Sequence, residues 1–252
     1  MPLFNPSSAS AVLRTTTQTT TYTATINDDV IFVSSASTWT LTLYAASGNS
    51  GKTLTIKKTS SDFNAITIDG NASETIDGQT TTTINTQYEC LKLICDGSNW
   101  HILERKIDNT WYSFTPTGGF NNTTYTGFYR RVGDMMECDV KMLLTGTPGA
   151  ATNLINIPFS LTIDTAKLSY ATSERNSFGL AKILDSGTAD YVGYVVYLNT
   201  TQVGIDPWTI DATTSGRVRQ AGSSTQIEPM TFAVNDTVHW NFKVPISGWK
   251  GN

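Results

Sequence analysis

The sequence predicts an all-β chain in two modules, a small antiparallel β module followed by a C-terminal β-sandwich of jelly-roll type. Three observations carry that reading. Apolar residues recur with a period of two, as in Trp39, Leu41 and Leu43 or Val238, Trp240, Phe242 and Val244, which is the signature of strands with one buried face. Asp-Gly pairs stand between the runs at Asp69-Gly70, Asp77-Gly78 and Asp96-Gly97, where they favour the positive φ angles of type I′ turns. Threonine, which favours strands and tolerates water, fills 42 of the 252 positions, while charged residues make up only 15%, against about 25% in an average chain.

Residues 1–25 are rich in Ser and Thr and poor in charge, so they bury too little apolar surface to order themselves alone. They are expected to attach to a larger assembly through Leu3, Phe4, Val12 and Leu13. From 26 to 107 the chain reads as six or seven strands, built on Val30–Val33, Trp39–Leu43, Leu54–Ile56, Ile66–Ile68 and Leu91–Leu93. The polar stretch 108–110 marks the boundary. Beyond it, 111–252 reads as the sandwich. Phe128, Arg130 and Val132 alternate, then Met136, Cys138, Val140 and Met142, with a turn at Gly133-Asp134 making a hairpin. Further strands are expected at 153–157, 178–184, 191–198, 217–218, 226–232 and 237–244. Asp164–Ala171 could make two helical turns behind an Asp cap, but its shortness reads better as a loop.

Several chemistries lack their residues. Gly51-Lys52-Thr53 matches the end of a phosphate-binding loop, yet Ala46 replaces the first glycine, and Thr53, Leu54, Thr55, Ile56 and Lys57 alternate as a strand where a helix is required. That stretch is a Gly/Asn/Ser turn in a hairpin. A net charge of −4 gives no basic surface for nucleic acid. Cys90, Cys95 and Cys138 form neither a C-x-x-C pair nor an even set, so disulfides and zinc are not indicated. His101 and His239 lie in strands without a nucleophile elbow. The carboxylates Asp69, Glu74, Asp77 and Asp96 sit in or beside turns, which favours a structural role over a glycosidase pair. No signal peptide and no apolar run of membrane-spanning length is present. No cofactor, metal, nucleic-acid partner or membrane insertion is therefore expected.

Aromatic residues are the more useful signal. Most of the 26 lie beyond the boundary, and aromatic faces beside Asp, Asn or Arg suit the C–H face and hydroxyls of a sugar. Two such pairings are candidates, Trp208 with Asp206 and Tyr194 with Arg217. Asp206-Pro207-Trp208 stands out because Asp-Pro favours a turn, and turns at sandwich ends carry function.

The blocks 28–33, 40–43 and 45–58, followed by Ile66–Gly70, Glu74–Gly78 and Asp96–Trp100, resemble a β-rich module of bacteriophage tail fibres and other virion appendages. Tyr129–Glu137 and Val244–Trp249 are similar to C-terminal domains of the same class. The resemblance implies a non-enzymatic homotrimer, made in the host cytoplasm and built into the virion. It would attach by its N-terminus to other tail, baseplate or capsid proteins and present its C-terminal domain to a host surface, often a glycan. The compactness of two β modules behind a short leader points to a short fibre. The alternatives are a head fibre or capsid decoration protein that binds no receptor, and third a polysaccharide depolymerase.

Overall fold

The computed structural model describes residues 12–34, 36–148, 151–169, 176–207 and 230–251. It is all-β, and the chain divides into two compact units, one ending at Asp108 and the other spanning Asn109–Gly251.

The first unit winds between two sheets. Strands β1 (Thr15–Gln18), β3 (Val30–Val33) and β5 (Thr53–Lys58) lie side by side in parallel, and β2 (Tyr22–Thr23), β4 (Trp39–Thr42) and β6 (Ile66–Asp69) do the same in the second sheet. Parallel neighbours need a crossover connection. Here the strand of the opposite sheet supplies it, so each pair of consecutive strands makes one rung of a short stack. Hairpin partners then close the unit: β7 (Thr81–Ile84) adds antiparallel to β6, and β8 (Cys90–Cys95) and β9 (Trp100–Lys106) add antiparallel beyond β5. Register aligns Ile31, Ile56 and Leu91 in one sheet and Leu41 with Ile68 in the other. These residues share one buried core with Trp100.

This topology corrects three expectations. The module is not antiparallel throughout, because the first three strands of each sheet run parallel. The Gly48–Gly51 turn is not a hairpin: β4 and β5 belong to different sheets, and the glycines, at φ +75° and +82°, turn the corner between them. Residues 15–18 and 22–23 are not a separate leader but the first rung. Arg14 fastens that rung, donating to both Asp29 carboxylate oxygens at 3.0 Å and to Asn27 at 2.7 Å. Of the three Asp-Gly pairs, only Asp77-Gly78 has positive φ at both residues, +48° and +79°, as type I′ demands. Gly70 is needed for space instead, since a Cβ there would lie 2.1 Å from the Glu74 carbonyl oxygen.

Polar groups in this unit are buried in pairs. Glu89 and Arg105, with side chains 0% and 4% exposed, meet at 2.6 Å. Lys58, fully buried at the end of β5, reaches Ser60 at 2.6 Å and Asp62 at 2.9 Å. All three cysteines are free thiols.

The second unit is one nine-stranded antiparallel sheet curled into a sandwich. Its strands are β10 (Tyr112–Phe114), β11 (Gly118–Phe120), β12 (Thr123–Val132), β13 (Met135–Leu144), β14 (Ala151–Asn156), β15 (Ser177–Asp185), β16 (Ala189–Asn199), β17 (Gln202–Pro207) and β18 (Thr237–Pro245). The order across the sheet is β10-β12-β13-β18-β15-β16-β17-β14-β11. The curl brings its two ends together, and the Tyr125 hydroxyl on β12 accepts the Phe120 N–H of β11 at 3.2 Å. The inner face carries Met136, Cys138, Val140 and Met142 against Val238, Trp240 and Phe242, the alternation read from the sequence. Buried Arg131 stacks 4.7 Å over Trp249 and donates to the Lys250 carbonyl, which pins the C-terminal stretch against the β12–β13 turn. Thr165–Lys167 forms one 3₁₀ turn whose Ala166 N–H donates to Asp164, so the helix-like stretch makes less than a helix. The strands expected at 217–218 and over most of 226–232 lie outside the described residues.

Candidate carbohydrate-binding surfaces

The residues singled out for binding fall into two groups. Tyr194 and Asp206 are direct cross-strand partners, because β16 and β17 pair them in register. Leu180 on β15 pairs with the other side of Tyr194. Leu180 and Val192 are 64% and 56% exposed, and Tyr194 joins them on the outer face of the sheet. Trp208 and Arg217, the other members of the expected platform, lie outside the described residues, as do Leu3 and Phe4. Val12 and Leu13 are described and exposed.

A second aromatic group forms the mouth of the curled sheet, and sequence reading did not assemble it. Phe114 pairs with Gly127, and Tyr112 with Tyr129, which faces inward beside Cys138 in the register of β12 and β13. A Cβ on Gly127 would stand 2.8 Å from the Phe114 ring and 2.6 Å from Pro116, so glycine is what lets the ring lie down there. Across the mouth, Phe159 stacks edge-on to Tyr129 at 4.7 Å and lies 5.9 Å from Phe114. Phe159 and Ser160 both have positive φ, +62° and +57°, a conformation that costs a bulky residue about 1–3 kcal/mol. It holds the Phe159 ring at the rim, 43% exposed.

Beside these rings opens a groove of about 530 Å³, with walls from Phe114, Pro116, Pro158 and Phe159 and a polar side from Thr117 and Asn156. The Asn156 amide donates to the Thr117 hydroxyl at 2.9 Å and accepts from Gln202 at 2.9 Å. A larger hollow of about 680 Å³ on the first unit is more open and has no aromatic lining, and its carboxylate, Asp62, is already bonded to Lys58. The aromatic groove is the stronger candidate on chemistry, although the other is larger.

Comparison of the sequence with protein-family models and with curated proteins finds no match. The chemistry therefore rests on the geometry.

Of the four carboxylates that a glycosidase pair could draw on, Glu74, Asp77 and Asp96 have structural partners. Glu74 accepts the Ala46 N–H at 2.9 and 3.0 Å, Asp77 accepts the Ile102 N–H, and Asp96 accepts from Ser98 and Asn99. His101 is held from both sides, its Nε2 2.8 Å from Asp96 and its Nδ1 3.6 Å from Asp77. The hydrogen bond to Asp96 raises the His101 pKa, and the same bond, with the Asn99 and Ser98 amides, holds Asp96 down to about 2. With both ring nitrogens facing carboxylates, His101 is placed to tie two turns together. His239 sits 2.7 Å from Asp139 on the outer face of the second unit. Among the described residues, no group of three or more His, Cys, Asp or Glu is placed to hold a metal ion.

Proposed function

We propose that this chain is a structural virion appendage of tail-fibre type, without enzymatic activity. It assembles as a homotrimer, attaches to the particle by the stretch ahead of β1, and turns its second unit toward the host surface. The observation that carries this reading is the distribution of exposed aromatic rings. Trp111, Tyr112, Phe128, Phe159 and Tyr194 in the second unit are all more than a third exposed, whereas in the first unit only Tyr88 is, among the described residues. Two of these rings, Tyr112 and Phe159, flank Tyr129 at 5.9 and 4.7 Å, and exposed apolar rings that cluster support a binding surface. At the other end of the sequence, Val12 and Leu13 stand 91% and 62% exposed beside the edge strand β1, which suits a docking stretch. The sequence resemblance to appendage modules supports the same assignment.

Adsorption competition tests it. Purified chain added to host cells should block attachment of the parent phage, and light scattering should give three times the 27.4 kDa chain mass. A stable monomer at micromolar concentration would remove the trimer. Trimers that decorate particles but leave adsorption unchanged would favour the capsid-decoration reading.

A further inference from the structure

We infer that the groove at the mouth of the second unit binds an uncharged pyranose sugar, stacked on Phe159 and hydrogen-bonded along Thr117 and Asn156. This rests on the host-binding reading above and deepens it by naming the site and the ligand class.

Four observations converge. The volume, about 530 Å³, falls within the range of about 300–1,000 Å³ of small-molecule sites. The lining is two-sided: aromatic and proline surfaces face hydroxyl and amide groups, which matches a sugar ring with an apolar C–H face and a rim of hydroxyls. The polar side has hydrogen-bonding capacity to spare. Thr117 accepts from Asn156 and keeps its own O–H to donate, while the Asn156 amide retains a second N–H and a second lone pair. Finally, the strained Phe159-Ser160 pair places its ring at the rim, 43% exposed. Backbone strain of this kind persists where a site requires a fixed geometry.

The charge of the ligand follows from the lining. Among the described residues, no Asp, Glu, Lys, Arg or His borders the groove. Arg130 and Lys243 both engage Glu137, at 2.6 and 3.4 Å, and Arg130 also stacks on Trp111, but none of the three charges lines the groove. An acidic sugar would enter without a cation to meet its carboxylate. A proline-rich peptide would use the aromatic walls and offer carbonyls to the Thr117 O–H and the Asn156 N–H, but its prolines carry no N–H for the second lone pair of Asn156, which a sugar hydroxyl does meet, so the sugar is favoured.

The test is titration of the ¹⁵N-labelled full chain with methyl glycosides of glucose, galactose and mannose, with glucuronic acid, and with a proline-rich peptide. At least one neutral glycoside should shift the amides of 114, 115, 117, 156, 157, 159–161 and 201, saturating at a millimolar dissociation constant. Phe159→Ala should weaken that binding by about tenfold or more, and so should Phe159→Gly, which accepts positive φ and keeps the fold intact. Leu180→Ala, on the outer face, should leave it unchanged. The inference is overturned if no neutral glycoside shifts those amides, if only glucuronic acid or the peptide does, or if the Phe159 variants bind as the parent does. A chain that still blocks phage adsorption while failing these titrations refutes the groove and spares the appendage reading.

Discussion

Replacing Glu89 by Gln should destabilise the first unit more than any exposed substitution. One Glu89 carboxylate oxygen accepts Arg105 at 2.6 Å, and the other accepts the backbone N–H of Asn85 at 2.7 Å and of Thr86 at 3.2 Å. The Glu89 side chain is fully buried and that of Arg105 nearly so. In the variant, Arg105 keeps its bonds to the Thr83 carbonyl and the Thr82 hydroxyl, but its charge is left buried without a counter-charge. The amide NH₂ must also point at one of the former donors. Breaking a buried pair from one side costs about 3–5 kcal/mol. For a unit of this size each kcal/mol lowers the melting temperature by about 4–8 °C, so the first transition should fall by at least roughly 12 °C. Circular dichroism melting, with amide exchange at Leu91 and Leu93 on the adjoining strand, reads the effect. The double change Glu89→Leu with Arg105→Leu should recover only part of the loss, since no orphaned charge remains but the Asn85 and Thr86 N–H groups still lack the acceptor that Glu89 supplied. A loss below about 1 kcal/mol for Glu89→Gln, the size expected of a solvated pair, would refute the buried-pair argument.

Three further outcomes are expected. Arg14→Ala should raise amide exchange across Thr15–Gln18 while leaving β5 and β8 protected, and an unchanged β1 would show that the Asp29 contact does not fasten the rung. Tyr125→Phe leaves the Phe120 N–H without its acceptor, so the second unit should lose about 1–2 kcal/mol, read by denaturant unfolding; no loss would mean that the ends of the sheet are held by packing alone. The His101 contact should be strongest between two limits. The folded His101 pKa lies above 6.5, so its stabilisation is complete below that value and fades as pH rises through the raised one; Asp96, held at about 2, contributes above its ordinary 3.8 and is lost as pH falls toward 2. An NMR titration of the His101 ring with a midpoint at or below 6.5 would contradict this.

Strand positions were legible because each strand buries alternate residues. Ile31 and Val33, Leu54 and Ile56, and Met136 through Met142 all point into cores as their spacing requires. Strand partners were not legible. A run such as Thr53–Lys58 pairs parallel with β3 on one side and antiparallel with β8 on the other, and its alternation is the same in both cases. The Gly48–Gly51 turn has the composition of a hairpin, yet its glycines serve a corner between sheets equally well, because both need only positive φ. The adjacency of Tyr194 and Asp206 emerges from the β16–β17 register, where the sequence had coupled Asp206 to Trp208 and Tyr194 to Arg217. The groove was hidden for another reason. Its parts come from residues 114–117, 156–161 and Thr201, brought together only when the sheet curls, and the local sign was no more than two Phe-Pro neighbourhoods, Phe114-Thr115-Pro116 and Pro158-Phe159.

The most direct test of the appendage assignment is to locate the chain on particles. Gold-labelled antibody against the second unit, applied to purified phage and viewed by electron microscopy, should mark discrete fibres that project from the virion. Particles that carry no label, from cells in which the chain is produced, would contradict the account.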